Sequence, residues 1–480
     1  MALLYESLLL FLLAFLKYFR LLVNCIAYWR YKPIPLSDDP IYTPDDVTVV
    51  VPSLDGDNEE IRETIRSVLK NEAREIILVT IDANVEKAEG LAASISSKKI
   101  RVLSIPKANK RHQMCKALPQ VTTAITVFAD DDVSWPTTLL PWMLSPFKDE
   151  RMGGVGTNQR LRREKEPNVW NFLGAAYLIR RNWDCTACTF IDGGLPCLSG
   201  RTVAYRTHIL QDPDFQHSFT HEEWRSCQLN ADDDNFLTRW MVNHEWKTWI
   251  QFHRESEVQT TLEDNAKYLK QCLRWARSNW RSNIKSLFLE GSIWRRHPWS
   301  TFAVFQTTLT SSALVFDLAM VYLFWQVTAG LGSDVRQLTT AIWLVWVVFI
   351  SRLVKYVEHF SRFPGDILIF IFLVPMFGYF HSLVIKVYAG ITMGVVSLSH
   401  SAPRPRTRSI ADLRLTLQTT WGSREGADAS DDFRMIALPK YSEMGASSSS
   451  KSTPANDVDD MDPIIGDDQA LLPQYAAEEP

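Results

Sequence analysis

The stretch AITVFADDD at residues 124–132 decides the fold: an apolar, β-forming run that ends in three consecutive carboxylates. Two earlier runs have the same character. VTVVVP (47–52) is continuously β-branched up to Pro52, and IILVTID (76–82) ends on Asp82. An amphipathic helix pattern lies between them, from Glu59 to Lys70. Strands alternating with helices over residues 45–260 predict a parallel sheet with helices on both faces. Such sheets take their ligands at the carboxyl ends of the strands, where Asp82, Asp130, Asp131 and Asp132 fall.

Outward from this block the chain turns apolar. Residues 4–28 form a hydrophobic segment interrupted by Lys17 and Arg20. It is read as a retained anchor within residues 1–32, because it lacks both a basic stretch before its core and a small-x-small cleavage site after it. Arg30 and Lys32 follow it, so the positive-inside rule puts the rest of the middle region in the cytosol. Further apolar blocks lie at 301–327, 338–359 and 366–397. A span needs about 20 residues, which predicts three or four spans over residues 300–398. The third block is two short spans or one span with a re-entrant piece. The basic stretch RPRTR (404–408) marks a cytosolic end. Residues 403–480 are expected to be a disordered acidic cytosolic tail. From residue 423 onward they carry 13 acidic against 4 basic side chains and too little apolar surface to offset chain entropy.

Composition excludes some classes. Lys+Arg 51 against Asp+Glu 55 gives a net charge of -4, without the basic excess of a nucleic-acid binder. Seven cysteines are too few for a disulfide scaffold, and Cys185-x-x-Cys188 has no second pair at zinc spacing. They are read as ordinary thiols in a reducing compartment.

Four constellations carry chemistry. The Asp130–Asp132 cluster offers hard oxygen ligands for a divalent cation, or simply caps the next helix. Asp82 could accept hydrogen bonds from a base or ribose, or cap a turn. The run Asp232-Asp233-Asp234 precedes an aromatic helix and could supply a general base, or an N-cap. On a helix, Gln271, Arg274 and Trp275 share a face at i, i+3 and i+4. Arg can grip a diphosphate bidentately and an indole can stack on a sugar ring. The same helix also reads as a basic amphipathic helix on a membrane surface. Asp317, inside an apolar block, either faces a channel, or sits near a membrane interface or pairs with a neighbouring helix.

Q-x-x-R-W after three separated acidic sites, flanked by apolar spans, resembles the processive family 2 glycosyltransferases, which include the hyaluronan, chitin and cellulose synthases. QCLRWARSNWRSN (271–283) looks most like the hyaluronan synthase and fungal capsule-polysaccharide synthase branch. The resemblance covers roughly residues 45–290. It implies a GT-A type, Rossmann-like α/β catalytic domain over 45–290, joined to transmembrane helices. It implies Asp82, Lys110, Arg111, Asp130 and Arg274 at the donor, and Asp130 and Asp132 on Mg²⁺ or Mn²⁺. It further implies Ser199, Gly200, Gln271 and Trp275 at the acceptor, and Asp234 as general base with Asp233 beside it. Arg201 stands where hyaluronan synthases tend to have proline. The implied reaction is inverting transfer from a UDP-sugar donor to a polysaccharide acceptor, with secretion across the lipid bilayer. A multi-pass protein of the plasma membrane with a cytosolic catalytic domain is expected. Ceramide glucosyltransferases share the carboxylates and the helix, so a glycolipid product is the alternative.

Overall fold

The computed structural model describes residues 1–96, 98–225, 227–309 and 312–393. The RPRTR stretch and the acidic tail lie outside the described residues. Seven strands build the central sheet: β1 (Val47–Pro52), β2 (Glu75–Ile81), β3 (Ile100–Ile105), β4 (Ile125–Ala129), β5 (Met152–Thr157), β6 (Thr202–Arg206) and β7 (Lys247–Gln251). Their spatial order is β7-β5-β6-β4-β1-β2-β3. β1 sits between β2 and β4, with Val49 opposite Ile76 on one side and Val127 on the other. Every residue of β1 and β4 is buried, which is why both read as unbroken apolar runs. Alternate side chains enter two different cores: Val49 and Val51 pack with Ile61 and Ile65, whereas Val50 packs with Phe215 and Leu237.

The sheet is mixed, which corrects the all-parallel expectation. β6 runs antiparallel to both β4 and β5. The whole of β6 is buried, so its sequence looks like that of a parallel strand although its direction differs.

Six helices carry or brace the candidate functional side chains: α1 (Ala2–Arg30), α2 (Glu59–Leu69), α3 (Lys110–Ala117), α4 (Val169–Asp192), α5 (Asp233–Asn243) and α6 (Lys267–Ile284). Asn58 starts α2 by accepting from the Ile61 N–H, and Asn109 starts α3 by accepting from the His112 N–H. From α3, Gln113 donates to the Ser53 and Val79 carbonyls and ties the ends of β1 and β2 together. The turn after β1 packs on the turn after β2 through Gly56. Its φ is +77°, and a Cβ there would stand 2.7 Å from the Asn84 carbonyl oxygen.

Four helices are long and apolar enough to cross a membrane: Leu3–Arg30, Ala313–Gly330, Ser333–Arg362 and Pro364–Ile391. The block read as a single span over 301–327 is divided. Its first part is a separate helix, Pro298–Leu309. Polar contacts hold that helix to its neighbours: Ser300 bonds Asp192, and the Trp299 indole donates to Asn24 at 2.9 Å. The 366–397 block is one continuous helical stretch as far as Ile391, with Pro375 inside it. Asp317 pairs with neighbouring helices. It bonds Lys17, Arg352 (2.6 Å) and Tyr379 (2.9 Å), joining three other candidate spans. Ion pairs also dock the catalytic unit on these helices: Arg163 grips Asp366 with both guanidinium nitrogens, at 2.8 and 3.0 Å.

Candidate active site

α6 is built from two stripes. Tyr268, Cys272 and Ala276, four residues apart, are buried against Ile385 and Ala389 of the last span. The Trp280 indole continues that stripe and donates to the Lys386 carbonyl at 2.9 Å. The opposite stripe, Gln271, Arg274, Trp275 and Ser278, lines a cleft of about 510 Å³. The carboxyl end of β4 forms the facing wall with Asp130, Asp131 and Asp132, and the start of α5 adds Asp232, Asp233 and Asp234.

Lys110 is the hub of the acidic wall. Its ammonium lies 2.8 Å from Asp130 and 3.0 Å from Asp233. Burial raises the Asp233 carboxyl, but the Lys110 charge outweighs it and holds the group below its ordinary value. Asp234 moves the other way. Burial, then the charge of Asp233, raise it above the carboxylate norm. Its backbone is fixed: the Asn235 N–H bonds its carboxylate at 2.8 Å and the Thr238 hydroxyl bonds its carbonyl. Cys197 lines the same cleft, and its thiol donates to the Leu198 carbonyl. Just before this pair, Asp232 has a left-handed backbone with φ of +65° and clasps Arg281 at 2.8 and 3.0 Å. A non-glycine residue in that region is strained, and the buried ion pair with α6 holds it there.

The loop 197–201 closes the cleft. The Asp130 N–H donates to the Arg201 carbonyl at 3.0 Å, so loop and acid cluster are joined through the backbone. Gly200 lies against the carboxylates: a Cβ would sit 3.4 Å from the Lys110 nitrogen and 3.5 Å from an Asp233 oxygen. Ser199 is buried and accepts from Arg201. Trp275 stacks on Tyr177 with centroids 4.6 Å apart, and the Arg201 guanidinium lies 5.7 Å from the indole. The indole is therefore already part of an aromatic–cation stack in the cleft wall.

Arg274 is unlike the other arginines around it. Its side chain makes no hydrogen bond among the described residues, and its Nε is buried without a partner. Burial lowers its proton affinity despite the charges of Asp232, Asp234 and Asp233. Gln271 likewise has a buried Oε1 without a partner. Unmet polar atoms cost about 1–3 kcal/mol each, and here they belong to side chains that line a cleft large enough for a ligand.

Two residues named from the sequence lie elsewhere. Asp82 is exposed in a single turn, Asp82–Asn84, and does not line this cleft. Arg111 is fully buried. It bonds Glu222 at 2.7 Å and the Phe219 and Ala231 carbonyls, because it leaves α3 about 100° around the axis from Lys110. Glu222 also holds Arg239 and Lys285. Burial would raise the Glu222 carboxyl, but Arg239, Arg111 and Lys285 pull it from an ordinary 4.5 down to about 2. Its folded value lies below its unfolded one, so this network stabilises the fold above about pH 4.5 and the gain is lost as pH falls toward 2. Arg111→Met removes one partner of a buried pair and is expected to cost about 3–5 kcal/mol. The thermal midpoint should fall while the donor KM of the folded fraction holds. An unchanged midpoint with a raised donor KM would return Arg111 to the donor site. Tyr177, Arg181 and Cys197 also line the cleft, beyond the residues that the sequence points to. The i, i+4 spacing of Tyr177 and Arg181 on α4 was the available signal.

The acid cluster fits a divalent cation. Among the described residues no three metal-binding side chains converge. Mg²⁺ and Mn²⁺ on a nucleotide do not need three, since one or two carboxylates plus the phosphates suffice. Asp130 and Asp132 supply that number.

Comparison with known proteins agrees with this geometry. Residues 44–278 match the model "Glycosyltransferase like family 2". The chain is 51% identical to a "Type 2 glycosyltransferase" of Zymoseptoria tritici, covering 89% of this chain and 86% of the relative. It is 46% identical to another of that name in Gibberella zeae, covering 89% and 77%. A "Hyaluronan synthase" of Streptococcus pyogenes is 22% identical over 71% of this chain and 78% of its own length. With the match spanning sheet, acid cluster and α6 alike, this chain belongs to glycosyltransferase family 2 and has the GT-A type of fold, joined to candidate membrane-spanning helices.

Proposed function

We propose that this glycosyltransferase transfers sugar from a UDP-sugar to a growing polysaccharide, with inversion at the anomeric carbon, and passes the product across the membrane. The observation that carries the transfer reading is the unpartnered guanidinium of Arg274 in the same cleft as the raised carboxyl of Asp234. Asp234 takes the proton of the acceptor hydroxyl. The freed oxygen attacks the anomeric carbon from the face opposite the diphosphate, and the bond between that carbon and the diphosphate oxygen breaks. A carboxylate of raised pKa is the stronger base for this step. Lys110 keeps Asp233 ionised, and the Asp233 charge sustains the basicity of Asp234. Arg274 meets the charge that develops on departing UDP with paired N–H donors. Mg²⁺ or Mn²⁺ held by Asp130 and Asp132 would neutralise diphosphate charge. Gln271, Ser199, Gly200 and the Trp275–Tyr177 stack flank the acceptor, while Asp82, outside the cleft lining, has only the sequence resemblance to support a nucleoside contact.

The polymer reading rests on α6, which packs one stripe on the last span and turns the other into the cleft, so a lengthening product starts at the bilayer. The resemblance to hyaluronan synthase points the same way. Arg30, at the end of α1, and Lys32 just beyond it support a cytosolic catalytic domain under the positive-inside rule, and a plasma-membrane location is part of the same proposal. Incubation of purified protein with a panel of UDP-sugars and Mg²⁺ or Mn²⁺ tests this, with product size as readout. A high-mass polymer is expected. A single glycolipid product would replace the polymer with a lipid acceptor.

A further inference from the structure

A second cavity, of about 220 Å³, lies where α1, α4 and the membrane helix Ser333–Arg362 meet, with Gln306 of helix Pro298–Leu309 and Ala313 of the span Ala313–Gly330 completing its wall. Four cations line it: Lys17 and Arg20 from α1, and Arg352 and Lys355 from the membrane helix. Two carboxylates answer them. Asp184 of α4 takes Arg20 at 2.9 Å and Lys355 at 3.0 Å, while Asp317 takes Lys17 and Arg352. Two positive charges remain in excess, between helices whose outer faces are apolar. A charge at such depth costs about 2.5–3.5 kcal/mol on insertion scales.

The unused hydrogen-bonding capacity has the matching sign. Asn24 is fully buried, and its Oδ1 accepts from the Trp299 indole while its Nδ2 has no partner. The Nε atoms of Arg20 and Arg352 are also buried without partners. These three are donors, and the Tyr18 hydroxyl, also in the lining and without a partner, can donate as well. Water could satisfy donors but could not balance the charge. An anion rich in acceptor oxygens does both.

We propose that this cavity binds the phosphate of an anionic membrane lipid. A lipid is favoured over free phosphate because three of the five helices that line the cavity are candidate spans, where acyl chains reach and bulk water does not. α4 is also a wall of the transfer cleft, through Tyr177 and Arg181. The lipid would therefore brace a helix that the active site shares.

Native mass spectrometry of the full chain, released from nanodiscs of phosphatidylcholine with phosphatidylglycerol, reads occupancy directly. One retained phosphatidylglycerol per chain is expected, in preference to phosphatidylcholine. Asn24→Asp keeps the acceptor for Trp299 but places a negative charge where the orphan donor points. It should retain about tenfold less, the equivalent of ~1.4 kcal/mol. The wild-type preference needs no variant, so a misfolded Asn24→Asp would leave the test standing. Equal retention of the neutral and the anionic lipid by the wild type would overturn the proposal. So would equal phosphatidylglycerol retention by wild type and a folded Asn24→Asp. A thermal shift with inorganic phosphate in lipid-free detergent as large as that with phosphatidylglycerol would assign the site to free phosphate and also overturn it.

Discussion

Asp234→Asn is expected to lower kcat by about 10²–10⁴-fold, the usual worth of a positioned general base. The exchange is nearly isosteric. An amide oxygen can still accept from the Asn235 N–H that now bonds the Asp234 carboxylate, so the start of α5 should hold its shape. The donor KM should change little, because Asp234 acts on the acceptor hydroxyl. Loss of kcat with intact donor binding and an unshifted thermal midpoint is the signature. A variant within threefold or so of wild type would mean that another group takes the proton, since the expected loss is at least ~100-fold. Asp233 would be a poor substitute, because its pairing with Lys110 holds it below the ordinary carboxylate range and makes it the weaker base.

Arg274→Gln should lower kcat by about 10²–10³-fold, comparable to removing one donor from an anion-stabilising site. The Arg274 side chain makes no hydrogen bond among the described residues, so its loss breaks none. It also relieves the burial of a charge that only the Asp232–Asp234 run offsets. The thermal midpoint should hold or rise while turnover falls, the opposite of Arg111→Met. Arg274→Lys should recover only part of the rate, since one ammonium cannot reproduce a bidentate grip. If Arg274→Gln raised donor KM and left kcat alone, the guanidinium would serve ground-state binding only.

What could be read in advance was local. β4 and its acids show in a few residues, because a strand buried on both faces is an apolar run and its end is where the polarity changes. The cleft face of α6 shows because Gln271, Arg274 and Trp275 keep helical spacing. What could not be read depended on phase and partner. Lys110 and Arg111 are neighbours, yet about 100° of helical rotation separates them. One reaches the cleft and the other a buried glutamate 111 positions away in sequence. β6 carries no mark of its direction, which is set by the strands it pairs with. Asp317 could not be assigned to a channel or a partner until three helices were seen to converge on it. Asp82 stands at the expected strand end, but on an exposed turn outside the cleft lining.

UDP release by the purified, bilayer-reconstituted chain is the most direct check on the assignment of the cleft, measured for each UDP-sugar with Mg²⁺ or Mn²⁺ in wild type and in Asp234→Asn. Release that requires a particular donor and collapses in the variant is the result expected. Release at the same rate in both proteins, or none from the wild type with any donor, would contradict it.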